Sequence, residues 1–272
     1  MKIIPLLFSL ALLAGCASKA PSTLSKTDQC RIEVENARQL IAEERYFPAR
    51  EELNQTLSNC SGTGFLEEAQ FLLAETYFAE KSWLEARGEY SSFVRYYPTS
   101  AYAEIAAYRK ALSALNMPFV LGRDQSYTDR AIDDFNSFLT DFPSSTKIDS
   151  AQIHLNTLIE RKAESSYSIA RLYFRMEEYQ AAAIALKDFL KAYPHSKRIA
   201  EAREMLLDSY LSLKQFSQAE QWLTFFRSDS LQAYPSSEAE KRTLQIEKEK
   251  KRFASARVKE ALKTKEIAEL EE

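Results

Sequence analysis

The chain contains 272 residues, of which 28% are charged, 12% are aromatic and only 5 are glycine. Few glycines together with abundant apolar residues are untypical of β-rich folds and favour an all-helical protein with a long core. The formal net charge of -3 is not the strongly basic balance that is typical of nucleic-acid-binding proteins, so we expect no nucleic-acid partner.

The amino terminus, MKIIPLLFSLALLAGC, has the pattern of a secretory signal. Its apolar run, residues 3–13, is too short to span a bilayer as a mature helix. The last four residues resemble the lipobox of bacterial lipoproteins, so we predict a lipoprotein signal peptide at residues 1–15 and lipid on Cys16. The alternative is an ordinary cleaved signal with an incidental cysteine. We expect residues 16–28, which are small and polar after the cysteine, to form a flexible tether.

A phrase made of an aromatic residue, a proline and, two residues later, a serine occurs four times further along the chain. Proline ends a helix, and serine is a good N-cap for the next one, so each phrase predicts a corner between two helices. The four copies are YYPTS, DFPSS, AYPHS and AYPSS, which end at Ser100, Ser145, Ser196 and Ser237.

A longer period surrounds these corners. Residues 77–98 and residues 173–194 both begin with Tyr-Phe, end with Tyr-Pro and share an aromatic, an alanine and a phenylalanine at matching positions between them. Periods of this length are typical of stacked helix hairpins, and this one resembles the tetratricopeptide repeat. We predict an all-α superhelical solenoid of about five such hairpins over residues 29–235, with a long charged helix over residues 236–272. The alternative is an irregular helical bundle.

Two further cysteines flank the first predicted hairpin. Cys30 lies at the start of its first helix and Cys60 at the end of its second, and antiparallel helices bring those ends together. Because the periplasm is oxidising, we expect a disulfide between them; two buried free thiols are the alternative. We predict no metal site, since the only histidines, His154 and His195, lack ligand spacing.

The sequence carries no recognised catalytic motif. It has no glycine-rich phosphate loop, no G-x-S-x-G elbow and no H-E-x-x-H zinc motif. We interpret neighbouring carboxylates such as Asp133 and Asp134 as solvated helix surface. The sequence therefore predicts a protein that is not an enzyme and that has no cofactor beyond the covalent lipid on Cys16.

An insertion interrupts the third hairpin between Leu115 and Ala131, with the sequence NMPFVLGRDQSYTDRA. The run RDQSYTDRAIDDFNSFLTDFPSS, together with the later LIERKAESSYSIARLYFRMEEYQAAAIALKDFLKAYPHS, resembles the BamD (ComL) family. This family consists of repeat-containing lipoproteins of the outer-membrane β-barrel assembly (BAM) machinery. The most specific part of the resemblance is the insertion loop, with Arg123, Asp124, Gln125 and Tyr127.

The resemblance implies a lipid-anchored scaffold at the periplasmic face of the outer membrane. Its implied partners are a barrel-forming protein with POTRA domains, other BAM lipoproteins and unfolded outer-membrane protein substrates. An alternative function is a periplasmic repeat adaptor for cell-envelope or peptidoglycan machinery of the Tol–Pal type.

The resemblance also implies two binding surfaces, one for substrate and one for the fixed partner. If the first helix of each hairpin lines the concave side, we expect an exposed substrate groove there; the alternative is that its rings pack between adjacent hairpins. The groove would contain Phe71, Glu75, Phe78, Tyr108, Tyr167, Arg171 and Phe174. We expect partner-binding residues on an exposed helix of the fifth hairpin, namely Arg198, Glu201, Arg203 and Asp208. The charged tail is either a solvated helix or a docking arm.

Overall fold

The computed structural model describes residues 24–119, 125–229 and 234–271, and for residues 265–271 it describes the backbone alone. These ranges contain α-helices and no strand. The helices are α1 (Lys26–Ala42), α2 (Tyr46–Asn59), α3 (Leu66–Ala79), α4 (Trp83–Tyr96), α5 (Ala103–Leu115), α6 (Ser126–Asp141), α7 (Ile148–Arg175), α8 (Tyr179–Ala192), α9 (Ile199–Ser212), α10 (Phe216–Ser228) and α11 (Ser236–Glu271). Within the described ranges, no helix is both long and apolar enough to cross a membrane.

The helices form two compact units, Met1–Leu73 and Ala74–Glu272. In the first unit, α1 and α2 pack as a hairpin. In the second unit, each helix from α5 to α10 packs against the helix before it and the helix after it, and α7 also contacts α5 and α9. Stacked helix hairpins have this order of contacts, because each hairpin packs against the hairpins next to it along the chain. The predicted all-α solenoid with a long charged C-terminal helix is confirmed.

Alanines and aromatic rings alternate in the core in the way the repeat predicts. Ala86 and Ala182 are fully buried, as are the rings of Phe93 and Phe189 at the matching positions of the second and fourth hairpins. An alanine allows two helix backbones to approach closely, and the ring fills the space beside that crossing. The period read from the sequence therefore corresponds to the core-facing side of each helix.

The corner serines bind backbone groups in the turn before the next helix and do not cap that helix. After each of three corners the helix begins three residues beyond the serine, at Ala103, Ile148 and Ile199. The serine hydroxyl instead accepts a hydrogen bond from the backbone N–H two residues later, at 2.9 Å for Ser100 and 3.0 Å for Ser145. The predicted N-cap is therefore wrong at these corners, because the serine closes a short turn before the helix starts.

The turns inside four hairpins share one backbone conformation. Glu44, Lys81, Glu177 and Lys214 each have φ between 58° and 62°, in the left-handed region. Non-glycine residues adopt this region at a cost, which tertiary packing on both sides of a tight turn can outweigh. The third hairpin contains the insertion at this position of the repeat, between α5 and α6.

Candidate protein-binding surfaces

The two cysteines of the first unit's hairpin form a disulfide. Cys30 and Cys60 are bonded, with their Cα atoms 5.9 Å apart, and both are buried. The Glu33 carboxylate lies beside them and accepts a hydrogen bond from the Thr56 hydroxyl at 3.1 Å. These three Cys and Glu side chains converge closely enough for a metal ion. Since the two sulfurs are bonded to each other, they are not available as thiolate ligands, and we assign no metal here.

Two predictions from the sequence concern residues that lie wholly or partly outside the described ranges. Cys16 lies outside them, as do Arg123 and Asp124 of the insertion loop. Gln125 and Tyr127 are described, at the start of α6. The guanidinium of Arg130 lies over the Tyr127 ring, 5.6 Å from its centre, within the first turns of α6.

The predicted groove residues of α3 are occupied by contacts within the protein. Phe71 is buried in the first unit. In the second unit, the Phe78 ring packs edge-on against Trp83 at 5.3 Å, and the Arg109 guanidinium lies 5.4 Å from its centre. Glu75 accepts a short hydrogen bond from the Tyr90 hydroxyl and forms an ion pair with Arg109. The expectation of an exposed ring at Phe71 is wrong, since it faces the core side of α3.

The groove residues of the third and fourth hairpins are likewise mostly packed. The ring centres of Tyr108 and Phe138 are 5.3 Å apart, and those of Phe174 and Tyr179 are 5.5 Å apart. Tyr167 is buried, and its hydroxyl donates to the Glu201 carboxylate at 3.0 Å. Burial raises the pKa of Tyr167 to about 12, and the bond to Glu201 acts in the same direction. The expectation of exposure is therefore wrong for Tyr167, whereas Arg171 is exposed.

The expected partner-binding residues of α9 bind other parts of the same chain. Arg198 donates to Glu164 at 2.7 Å and to Glu201 at 2.9 Å, and these bonds raise the pKa of its guanidinium. Asp208 forms an ion pair of 2.5 Å with Arg242 of the C-terminal helix. Arg203 is only 5% exposed and pairs with Asp229. Exposure of Arg203 was therefore a wrong expectation.

Asp134 is a second charged residue whose burial was not predicted from the sequence. Arg87 donates to its two carboxylate oxygens at 2.7 and 3.2 Å, and the Lys110 ammonium lies 3.0 Å away. The carboxylate thus joins α4, α5 and α6 in the interior. Asp133, its neighbour, is exposed as predicted for a solvated surface.

An exposed apolar stripe follows the C-terminal half of α7, and it was not predicted from the sequence. Its side chains are 39% to 60% exposed although they are large and apolar. They occur at spacings of three, one and three residues, which places them on one face of the helix. The stripe consists of Ile169, Leu172, Tyr173 and Met176. The same spacing was visible in the sequence, but burial alone decides whether such a face is core or surface.

An open cleft lies between the N-terminal half of α7 and the corner that joins α8 to α9. Its volume is about 1230 Å³. Its apolar wall includes Phe119, Ile153 and Ile159, and charged side chains such as Glu160 and Lys197 lie around it. Phe119 directly precedes the residues of the insertion that the structure does not describe. The cleft therefore has the mixed lining that suits an extended peptide.

Comparison with known proteins identifies the family. The sequence matches the family model described as "YfiO: Outer membrane lipoprotein" over residues 34–224, about seven tenths of the chain. It is 24% identical over 226 residues to the outer membrane protein assembly factor BamD of Rickettsia prowazekii (strain Madrid E), covering 82% of this chain and 90% of that protein. The corresponding protein of Vibrio cholerae serotype O1 is 24% identical over 217 residues, covering 76% of this chain and 89% of that protein.

Solved structures of repeat proteins are similar at a lower level. The TPR2AB domain of yeast Sti1 in complex with pHSP90 has a TM-score of 0.42 and 13% identity, covering 72% of this chain and 76% of that chain. The family match extends from α1 to α10 and ends before the C-terminal helix. The chain belongs to the YfiO family of outer membrane lipoproteins.

Proposed function

We propose that this protein is a non-catalytic scaffold of the machinery that assembles outer-membrane β-barrel proteins, held at the periplasmic face of the outer membrane by lipid on Cys16. The observation that carries the proposal is the family match over residues 34–224, with assembly factors aligned over 90% and 89% of their lengths. Stacked hairpins support it physically, because each part of such an array offers a separate surface to a protein partner.

The apolar stripe on α7 is the proposed docking surface for the POTRA-bearing partner. Exposed apolar patches are costly in a free protein and commonly mark protein interfaces. The stripe also lies in the C-terminal half of the repeat array, which the family resemblance implies for this partner. Arg198 and Asp208, which were expected to bind the partner, bind α7 and α11 of the same chain. They are better suited to stabilising the helices around this surface.

The cleft beside Phe119 is the proposed site for unfolded substrate. An unfolded barrel strand is extended and alternates apolar and polar side chains. The apolar wall of Ile153 and Ile159 suits the apolar side chains of such a strand. The charged groups around the cleft suit its polar side chains and its unpaired backbone groups. This site replaces the groove expected at Phe71 and Tyr167, since those rings are buried.

Pull-down of the tagged lipoprotein from its own envelope tests the proposal. We expect the POTRA-bearing barrel protein in the eluate, and its loss from the double variant Leu172→Glu with Met176→Glu. The matched control is Leu84→Glu, because Leu84 is 55% exposed on α4 and lies outside the stripe. Recovery of a peptidoglycan synthase or a Tol–Pal component in place of the barrel protein would establish the adaptor function instead.

Crosslinking of an unfolded barrel protein tests the substrate site separately. A photoreactive residue at position 153 should capture the substrate, whereas one at position 184 should not, since Ile184 is exposed on α8 and does not line the cleft. Equal capture at the two positions would show that the cleft has no special affinity for substrate.

A further inference from the structure

The C-terminal helix continues well beyond the family match and beyond its own contacts with the repeats. It packs against α10 through a side that recurs every seven residues, at Ala239, Ile246 and Phe253. Phe253 lies 5.8 Å from the Phe216 ring, and the Lys250 ammonium lies 2.9 Å from Glu220. From residue 254 to residue 264, every side chain is exposed. This part of the helix therefore has a surface that the repeats do not cover.

The charge of this part of the helix is opposite to that of the whole protein. Residues 248–264, which we call the basic segment, contain seven lysines and arginines and two glutamates, a net charge of +5. The whole chain has a net charge of -3, so the other residues together have a net charge of -8. Such a concentration of positive charge on one exposed helix favours a polyanionic partner.

An apolar stripe runs along the side of this helix that faces away from α10. Leu244, Val258 and Leu262 are 66%, 60% and 57% exposed. At about 100° per residue, the three side chains point within about 40° of one another. Ala254 and Ala261 extend the stripe on one side, and both are exposed. The helix thus has one face for the repeats and another, apolar face that is uncovered.

Positive and negative charges have separate places around the stripe. Cations lie on both of its flanks, and the two glutamates of the basic segment, Glu249 and Glu260, lie on the side opposite to it. Glu249 also pairs with Arg252 at 2.9 Å. The cations on one flank are Lys248, Arg252, Lys259 and Lys263, and those on the other are Lys250 and Arg257. This is the distribution of a helix that lies in a membrane interface, with apolar groups toward the acyl chains and cations beside the headgroups.

Lys251 distinguishes a membrane surface from a second copy of the helix. It lies seven residues from both Leu244 and Val258, and so within the stripe itself. In a helix dimer formed through the stripe, its ammonium group would be buried in the seam, which is unfavourable. At a bilayer surface the lysine stem can lie along the apolar face while the ammonium reaches the headgroups. The stripe therefore fits a lipid surface better than a second copy.

We propose that the basic segment, residues 248–264, binds in the plane of an anionic phospholipid surface. The proposal is independent of the acyl anchor on Cys16 and of the assembly partners, since it rests on the side chains of α11 alone. It gives the protein a second membrane contact, at the opposite end of the chain from the anchor. It also gives a physical role to a helix that lies outside the matched family region.

Hydrogen exchange of the full-length protein, mixed with excess vesicles, tests this proposal. With vesicles that contain phosphatidylglycerol, we expect amide exchange in peptides from residues 248–264 to slow by about tenfold or more relative to pure phosphatidylcholine. The slowing should weaken at high salt, because exposed charges are then screened. Exchange in α4 to α9 should be the same with both kinds of vesicle.

Matched variants separate the specific surface from net charge. Replacing Lys248, Lys259 and Lys263 by glutamine should abolish the slowing, and so should Val258→Ser with Leu262→Ser. The control replaces Lys81, Lys191 and Lys214, which are exposed on other parts of the second unit, by glutamine and removes the same charge. Equal exchange with both lipids, or an equal loss in the control, would overturn the proposal. Slowing without vesicles that grows with protein concentration would assign the stripe to a second copy instead.

Discussion

Arg203 is a charged side chain whose partners are all internal. Its guanidinium is 5% exposed, pairs with Asp229 and lies 5.0 Å from the centre of the Phe226 ring. Charge and stacking thus fix the end of α10 against α9. The sequence gives no sign of this, because an arginine in a helix rich in charged residues is usually solvated.

Truncation of Arg203 should therefore destabilise the protein much more than truncation of its neighbour Arg198. We expect Arg203→Ala to lower the free energy of unfolding by about 3 kcal/mol, since it removes a buried guanidinium that pairs with Asp229 and stacks on the Phe226 ring. Arg198→Ala removes a pair that is partly exposed and should cost about 1 kcal/mol or less. Urea unfolding of the two variants measures both values, and equal values would contradict the burial of Arg203.

His154, on α7, makes the packing of this helix against the third hairpin depend on pH. Partial burial beside Tyr108 and Phe135 lowers the pKa of its imidazole below the ordinary value of 6.5. The unfolded chain then binds the proton more tightly than the folded protein does. Stability is therefore full above pH 6.5 and decreases as the pH falls below that value.

The variant His154→Gln should lose this part of the pH dependence. Between about pH 7.5 and about pH 5, its free energy of unfolding should decrease less than that of the wild type. Urea unfolding at the two pH values measures the difference, with helical content at the higher pH as a control for folding. A steeper decrease in the variant would show that the imidazole is not the group responsible.

At the scale of elements, α11 is held to α9 by one arginine between two carboxylates. The Arg242 side chain is 12% exposed, donates to Glu204 at 2.5 Å and pairs with Asp208 at 2.5 Å. Glu204 also accepts from the Tyr234 hydroxyl, and burial is the main cause that raises the pKa of this tyrosine. The N-terminal part of α11 is thus fixed by charge as well as by the buried Ile246.

A double-mutant cycle at Arg242 and Asp208 should reveal this coupling. We expect an interaction free energy of about 1 kcal/mol, because the arginine side chain is mostly buried whereas the aspartate is partly exposed. Arg242→Ala should also speed amide exchange in the first turns of α11. The control is Lys241→Ala, since Lys241 is 73% exposed and pairs only within its own helix. Additive effects of the two substitutions would exclude the coupling.

At the scale of the whole molecule, the disulfide belongs to the first unit alone. It closes a loop across α1 and α2, with a sequence separation of 30 residues. In the chain-entropy model, a loop of this length stabilises the folded hairpin by about 3 to 4 kcal/mol. The second unit contains no described cysteine and holds together through helix packing.

Loss of the disulfide should therefore act locally. In Cys30→Ser with Cys60→Ser, we expect amide exchange to speed up over residues 26–60, with α5 to α9 still protected, since an array of repeats opens in parts. A mass map of the wild type without reductant should show the two cysteines linked. Free thiols at both positions in protein taken from the periplasm would contradict the disulfide.

The proposed lipid anchor on Cys16 can be tested by labelling the whole protein with palmitate. Lipid forms a thioether with the cysteine that follows the signal, so Cys16→Ser should prevent lipidation. Labelled palmitate should enter the wild type and not the variant. Incorporation in both would mean that Cys16 is not the acceptor.

The sequence by itself determined the repeat and its phase. Proline ends a helix locally because it has no backbone N–H. The alternation of small and aromatic residues along one helix decides which side is buried. For this reason Ala86, Phe93, Ala182 and Phe189 lie in the core as the period predicts. The family resemblance depends on the same local patterns, and the family match confirms it.

Only the tertiary structure decided which polar and aromatic residues are available at the surface. Asp134 meets Arg87 across 47 residues, Tyr167 meets Glu201 across 34, and Arg203 meets Asp229 across 26. Such contacts depend on how neighbouring hairpins stack, and no local pattern encodes that geometry. The same stacking leaves the stripe on α7 and the apolar face of α11 uncovered, because no neighbouring helix among the described residues reaches those sides.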